Sequence, residues 1–141
     1  MFVVGLIQDQ VPKLPGYLPK WLFFIAIVSI FNSVQTYFSG LTLTRRVYEN
    51  KPLETTNLSA RTFGTWTMLS AIIRYYGSFN LNNAVVWKIV LSSYLIAFVH
   101  FNLELLVYKT AKLGKGFAGP LIVSTVTISW MLLTRDYYLS L

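Results

Sequence analysis

Long uncharged stretches punctuated by basic residues set the pattern of this chain. From Trp21 to about Leu43 there is no charged residue, and the run is bounded by Lys20 and by Arg45-Arg46. At ~1.5 Å per residue a helix of that length crosses the ~30 Å hydrocarbon core of a bilayer. A second run, about Leu58 to Leu81, carries Arg61 and Arg74. A helix separates these two by about 20 Å, so they can snorkel toward opposite membrane faces. The third run, about Ala84 to Tyr108, has an uncharged centre between Lys88 and Glu104, and the fourth, Phe117 to about Thr134, is short and has Pro120 in its first turn. Helices are the expected form throughout, because an open strand leaves backbone polar groups unpaired in lipid. The pattern therefore predicts an all-α protein, an integral membrane bundle of four transmembrane helices over residues 21–138. Residues 1–20, with the brief Phe2–Ile7 run followed by Pro12, Pro15 and Pro19, form an N-terminal interfacial tail.

Four spans put both termini on one side. Loop one holds Arg45, Arg46 and Lys51, and loop three holds Lys109, Lys112 and Lys115. The opposite face holds Lys13, Lys20, Lys88 and Arg135, with Arg74 snorkelling to join them. The positive-inside rule then favours cytoplasmic loops one and three and lumenal termini. In that arrangement the Asn57-Leu58-Ser59 sequon stays unmodified.

Composition narrows the class. Charged residues make up 12% of the chain, against about 25% in soluble domains, and 55% is hydrophobic. That is too little charge to clothe a soluble domain and too much apolar content for disorder. The net charge of +7 would raise nucleic acid as a partner in a soluble protein. Here the basic residues sit at the ends of apolar runs, so membrane lipid headgroups account for them and nucleic acid is not expected. With no cysteine, disulfides, thiolate catalysis and zinc–thiolate sites are excluded.

Few residues offer chemistry. Gly114-Lys115-Gly116-Phe117-Ala118-Gly119 spells G-x-G-x-x-G, but the nucleotide-binding version needs a preceding strand and a βαβ unit. Between two membrane spans it reads as a basic hinge whose glycines permit a tight reversal. His100 is the lone histidine, too few for a histidine-rich di-iron site, so no metal or cofactor is expected. His100 and Glu104 are four residues apart and share a helix face, which suits a polar inter-helix contact or an acid–base pair. Depth pairs Glu104 with Arg61 rather than Arg74. Along the first span Asn32, Gln35, Thr36 and Ser39 form a polar stripe, with Ser29–Ser33 and Thr36–Gly40 as small-residue pairs for close helix approach. This stripe suits packing within the bundle, or contact with a partner helix or a second copy. Thr62, Thr65 and Trp66 open the second span, with Trp66 expected toward the headgroups and the Tyr75-Tyr76 and Tyr137-Tyr138 pairs as interfacial anchors.

Three stretches carry a family resemblance. They are Gly16–Leu22 (GYLPKWL) with Phe31–Tyr37 (FNSVQTY), Glu54–Thr67 (ETTNLSARTFGTWT), and His100–Leu105 with Lys112–Pro120 (KLGKGFAGP). Over about residues 16–138 the chain resembles the small ergosterol-biosynthesis scaffold family of fungi, whose relatives occur across eukaryotes. The resemblance implies a multi-pass endoplasmic reticulum membrane protein without catalytic activity. It implies tethering of the sterol C-4 demethylation enzymes: the C-4 methyl oxidase, the NAD-dependent C-4 decarboxylase (a 3-hydroxysteroid dehydrogenase) and the 3-keto reductase, with other late sterol enzymes as further partners. The surface expected to serve this comprises Leu58–Trp66 and the His100–Glu104 turn. Two rival readings are a sterol- or lipid-binding protein with a pocket lined by Phe31, Tyr37, Trp66 and Phe98, and a membrane enzyme using Glu104 and His100.

Overall fold

The computed structural model describes residues 11–141, so the Phe2–Ile7 run lies outside the described residues. Helix is the only regular secondary structure among them, with no strand. Four long helices carry the fold: α1 (Leu18–Phe38), α3 (Asn57–Phe79), α4 (Ala84–Leu106) and α5 (Lys115–Leu133). Two short ones, α2 (Thr42–Val47) and α6 (Arg135–Leu139), and a 3-10 turn at Pro52–Glu54 complete it. Three helices are long and apolar enough to cross a membrane: α1, α4 and the Gly116–Leu133 stretch of α5. The expected second span, α3, has the length, at 23 residues, but its two arginines and run of hydroxyls leave it out of that class. A span count of three is therefore what length and composition support.

Local chemistry explains where the helices begin and end. The first helix ends at Phe38, five residues short of the expected Leu43. The Ser39 hydroxyl bonds back to the Gln35 carbonyl at 2.5 Å, and Gly40 then turns the chain at φ +65° into α2. At the start of α3, Thr56 and Ser59 exchange side-chain and backbone hydrogen bonds in a capping box. Asn83 caps α4 by accepting from the Val85 and Val86 amides. The last long helix starts at Lys115, so Pro120 falls inside it rather than in its first turn, and one internal hydrogen bond is missing there.

The core divides by end. At the end where α1 begins and α6 lies, Leu18, Leu22, Leu81, Trp87, Val90, Tyr94, Met131 and Tyr138 form one buried cluster. Here the Tyr138 hydroxyl donates to the Pro15 carbonyl at 3.0 Å, and Trp21 Nε1 donates to Thr127 Oγ1 at 2.9 Å. At the other end Val47, Ala97, Phe101, Ala111 and Phe117 form the second. Polar contacts join the helices between these clusters. Ser33 Oγ meets Thr67 Oγ1 at 2.7 Å where α1 crosses α3. All four long helices carry exposed apolar side chains on their outward faces, Phe24, Leu69, Ile72, Ile96, Ile122 and Leu132 among them.

Arg74 does not snorkel. It is 7% exposed and lies between α3 and α4. Its Nε and Nη2 donate to Ser93 Oγ and to the Ser93 carbonyl, each at 3.2 Å, and its guanidinium sits 3.8 Å over the Tyr94 ring. Burial is affordable because the planar fork finds a hydroxyl, a carbonyl and a ring face together.

Candidate functional site

Loops one and three meet at the end opposite the termini. The Asn50 amide donates to the Thr110 carbonyl at 3.0 Å, the Asn50 side chain bonds the Lys109 carbonyl, and Lys51 Nζ donates to the Tyr108 carbonyl at 3.0 Å. Lys109 makes the reversal possible, with a left-handed φ of +56°. The glycine run does not act as the expected hinge. Gly114 is extended and begins α5, whereas Gly116 gives α5 room to approach α2: a Cβ there would sit 2.2 Å from the Arg46 carbonyl oxygen.

Between these loops and the ends of α3 and α4 opens a cleft of about 490 Å³, lined by fourteen residues that include Tyr48, Thr62, Phe63, Trp66, His100, Glu104 and Thr110. Tyr48 reaches it from loop one, and its hydroxyl lies 2.6 Å from His100 Nε2. Burial, and next the Glu104 carboxylate, push the Tyr48 phenol well above the ordinary tyrosine range, so it stays protonated. One turn past His100, Glu104 accepts a short hydrogen bond from the Thr110 hydroxyl. Trp66 does not turn outward to the headgroups. Its ring packs against Phe63, His100 and Phe101, with centroids 5.4, 5.6 and 6.4 Å away. The cleft thus has an aromatic floor and a polar wall of Tyr48, His100, Glu104 and Thr110.

The expected site residues divide into groups. Thr62, Trp66, His100 and Glu104 come together in the cleft. Arg61 is exposed and forms no ion pair with Glu104. The ion pairs among the described residues are Lys51–Glu54 and Arg135–Asp136. Thr36 is buried where α1 meets α3, bonded to the Ser33 carbonyl at 2.7 Å, and Thr65 on α3 meets the Tyr37 hydroxyl. The polar stripe splits: Thr36 is buried against α3 beside Ser33, and Asn32, Gln35 and Ser39 point outward, exposed. The four aromatics of the lipid-pocket reading do not share a cavity. Trp66 lines the cleft, Tyr37 lines a separate hollow of about 390 Å³ with Ser33 and Thr65, and Phe31 faces outward.

Phe63 falls within the expected Leu58–Trp66 stretch, but Tyr48 and Thr110 escape sequence reasoning. They bear on the site only through contacts across 52 residues (Tyr48 to His100) and between the two loops. One usable signal exists: Tyr48 follows the Arg45-Arg46 boundary of the first apolar run, at the depth of the Glu104 turn. No cluster of three metal-ligating side chains occurs among the described residues. The Ser59 hydroxyl, at the cleft's edge, is engaged in the α3 cap, accepting from the Thr56 amide and donating to the Thr56 carbonyl. The arrangement is suited to holding a small neutral polar group above an apolar floor.

A helical chain with membrane-length apolar spans and a loop-end cleft defines a small helical membrane protein. The family model described as Erg28 like protein matches residues 18–129. The chain is 62% identical to Ergosterol biosynthetic protein 28 of Saccharomyces cerevisiae (strain ATCC 204508 / S288c), over 87% of this chain and 83% of that one. It is 51% identical to the protein of the same name from Candida albicans (strain SC5314 / ATCC MYA-2876), over 89% of this chain and 90% of that one. A Homo sapiens protein, Ergosterol biosynthetic protein 28 homolog, is 36% identical over 85% of this chain and 86% of that one. No solved structure matches. The chain belongs to the Erg28 family, whose members carry names of ergosterol biosynthesis and not of an enzyme.

Proposed function

We propose that this protein is a non-catalytic scaffold of the endoplasmic reticulum membrane that holds the sterol C-4 demethylation enzymes together: the C-4 methyl oxidase, the C-4 decarboxylase and the 3-keto reductase. Family membership supports the pathway. The observation that carries the tethering is the outward orientation of Asn32 and Gln35 on α1, a helix otherwise suited to lipid. Two amides facing hydrocarbon lack partners, and a helix of another protein supplies them at ~0.6–2 kcal/mol per hydrogen bond. Sterol intermediates partition into the bilayer, so keeping successive active sites together shortens the search between them and raises effective concentration.

The scaffold has four spans on this reading, with α3 as the second. Its outward residues Leu69 and Ile72 are apolar, its Arg74 is satisfied inside the bundle, and Arg61 lies near its loop end. Polar content turned inward lowers the helix's hydropathy without exposing it to lipid. Loops one and three face the cytoplasm.

The test is affinity purification of the tagged chain from microsomes in mild detergent. The three enzymes are expected to co-purify near stoichiometry, and Asn32→Leu with Gln35→Leu to lower their recovery severalfold without lowering the chain's own yield. A chain recovered alone overturns the scaffold.

A further inference from the structure

The cleft at the loop end draws lining residues from the Leu58–Trp66 stretch and the His100–Glu104 turn, and its walls have a chemistry of their own. Its floor is Trp66 and Phe63, with Leu58 at the edge. Its wall holds Tyr48, His100 and Glu104. His100 lies six residues before the end of α4 at Leu106, about 9 Å into the helix, so the cleft runs from the loop level into the outer part of the bundle. Its volume of about 490 Å³ falls within the ~300–1,000 Å³ of small-molecule sites.

The Tyr48–His100 pair, 2.6 Å apart, can be written in two ways. With Nε2 unprotonated, Tyr48 donates to it, and the phenol oxygen can accept from an incoming hydroxyl. With Nε2 protonated, the ring donates to the phenol oxygen, and the phenol proton can go to an incoming carbonyl. One pair thereby serves an alcohol and a ketone alike. Charge narrows the choice further. Lys51 lies 4.0 Å from Glu54, so these two lining charges offset each other, and Glu104 has no cationic partner in an ion pair among the described residues. The Glu104 carboxylate disfavours a second carboxylate placed beside it in the cleft.

We infer that this cleft binds the oxygen-bearing end of a neutral sterol, as the alcohol or as the ketone, in preference to a sterol carboxylate. The choice of a sterol among neutral amphiphiles rests on the proposed pathway. A site of this kind would hold a hydroxy- or keto-sterol between enzymes that interconvert the two and release one that carries an acid.

The test uses a clickable sterol with a free 3-hydroxyl and a photoactivatable diazirine, applied to microsomes containing the full-length chain. Label is expected within residues 44–66 and 100–110. Excess 3-hydroxy- or 3-keto-sterol should suppress it at least fivefold, and a sterol 4-carboxylate should not. Tyr48→Phe and His100→Ala should each lower labelling at least fivefold. Thr62→Phe should do the same by filling the cleft from an exposed position, which keeps the test alive if the first two variants fold poorly. Monodispersity of each variant in detergent checks folding. Label confined to lipid-facing residues such as Phe24 or Ile96, or unchanged in a monodisperse Thr62→Phe, overturns the site. Competition by dioleoylglycerol as strong as by sterol overturns the sterol assignment. The two readings fail separately: cleft labelling without enzyme recovery sinks the scaffold, and enzyme recovery without cleft labelling sinks the site.

Discussion

A Cβ placed on Gly64 would lie 1.8 Å from the Thr36 hydroxyl, 3.0 Å from the Thr36 Cβ and 3.1 Å from the Ser33 carbonyl oxygen. The two helices touch there, and the Thr36 hydroxyl has no free rotation because it bonds the Ser33 carbonyl. Gly64→Ala should therefore push α1 from α3, at a cost of about 1–3 kcal/mol for overpacking. Thr36→Ala in the same chain should recover part of the loss by removing the nearest atom. Denaturation in mixed SDS micelles would check both, and a Gly64→Ala protein as stable as the parent would refute the close crossing.

Gly116 and Gly119 make a matched pair one helical turn apart. A methyl at Gly116 meets the Arg46 backbone, its carbonyl oxygen at 2.2 Å and carbon at 2.5 Å, which no side-chain rotation can relieve. A methyl at Gly119 meets nothing within 4 Å. Gly116→Ala should detach α2 from α5 and destabilise strongly. Gly119→Ala should be nearly neutral, since the helix propensity it gains is offset by crowding between a helical Cβ and the Cδ of Pro120. Thermal stability in detergent should rank the two in that order.

Arg74 should tolerate no other cation. Arg74→Lys keeps the charge and loses both the fork to Ser93 and the flat contact with the Tyr94 ring, so we expect a loss of about 1–2 kcal/mol. Ser93→Ala should cost less, since the Ser93 carbonyl still accepts from Nη2. Equal stability of Arg74→Lys and the parent would show that the arginine reaches solvent.

The chain has no cysteine, so single introduced cysteines report sidedness without a background. Lys51, Lys112, Asn82 and Ser140 are exposed and sit in loops or at the C-terminus. With α3 crossing the bilayer, Lys51→Cys and Lys112→Cys should react with an impermeant maleimide in sealed microsomes. Asn82→Cys and Ser140→Cys should react only after permeabilisation. If Asn82→Cys and Lys51→Cys react from the same side, α3 does not cross.

Tyr138 is 2% exposed and bonds the Pro15 carbonyl, with burial, and next Tyr137, raising its phenol above the ordinary range. Tyr138→Phe should free the chain around Pro15. Limited proteolysis should then cut near Lys13 faster in the variant, at a global cost of about 0.5–1.5 kcal/mol.

The sequence alone determined the class of this protein. Helical structure, the apolar runs that became α1, α4 and α5, and the kinship with the Erg28 family are all legible there. Membrane hydropathy depends on residues close together in the chain. Tertiary structure decided the rest. A periodicity can list Asn32, Ser33, Gln35 and Thr36 as polar, but only the crossing with Gly64 selects Ser33 and Thr36 for burial and turns the two amides outward. A hydropathy count places Arg74 at a membrane surface, and only Ser93 and Tyr94 on the neighbouring helix make its burial bearable. The His100–Glu104 turn is visible as a spacing of four, yet its partners Tyr48 and Thr110 arrive through loops that the sequence merely marks as basic. Those choices rest on which helix faces meet, a property of long-range packing that no local pattern encodes.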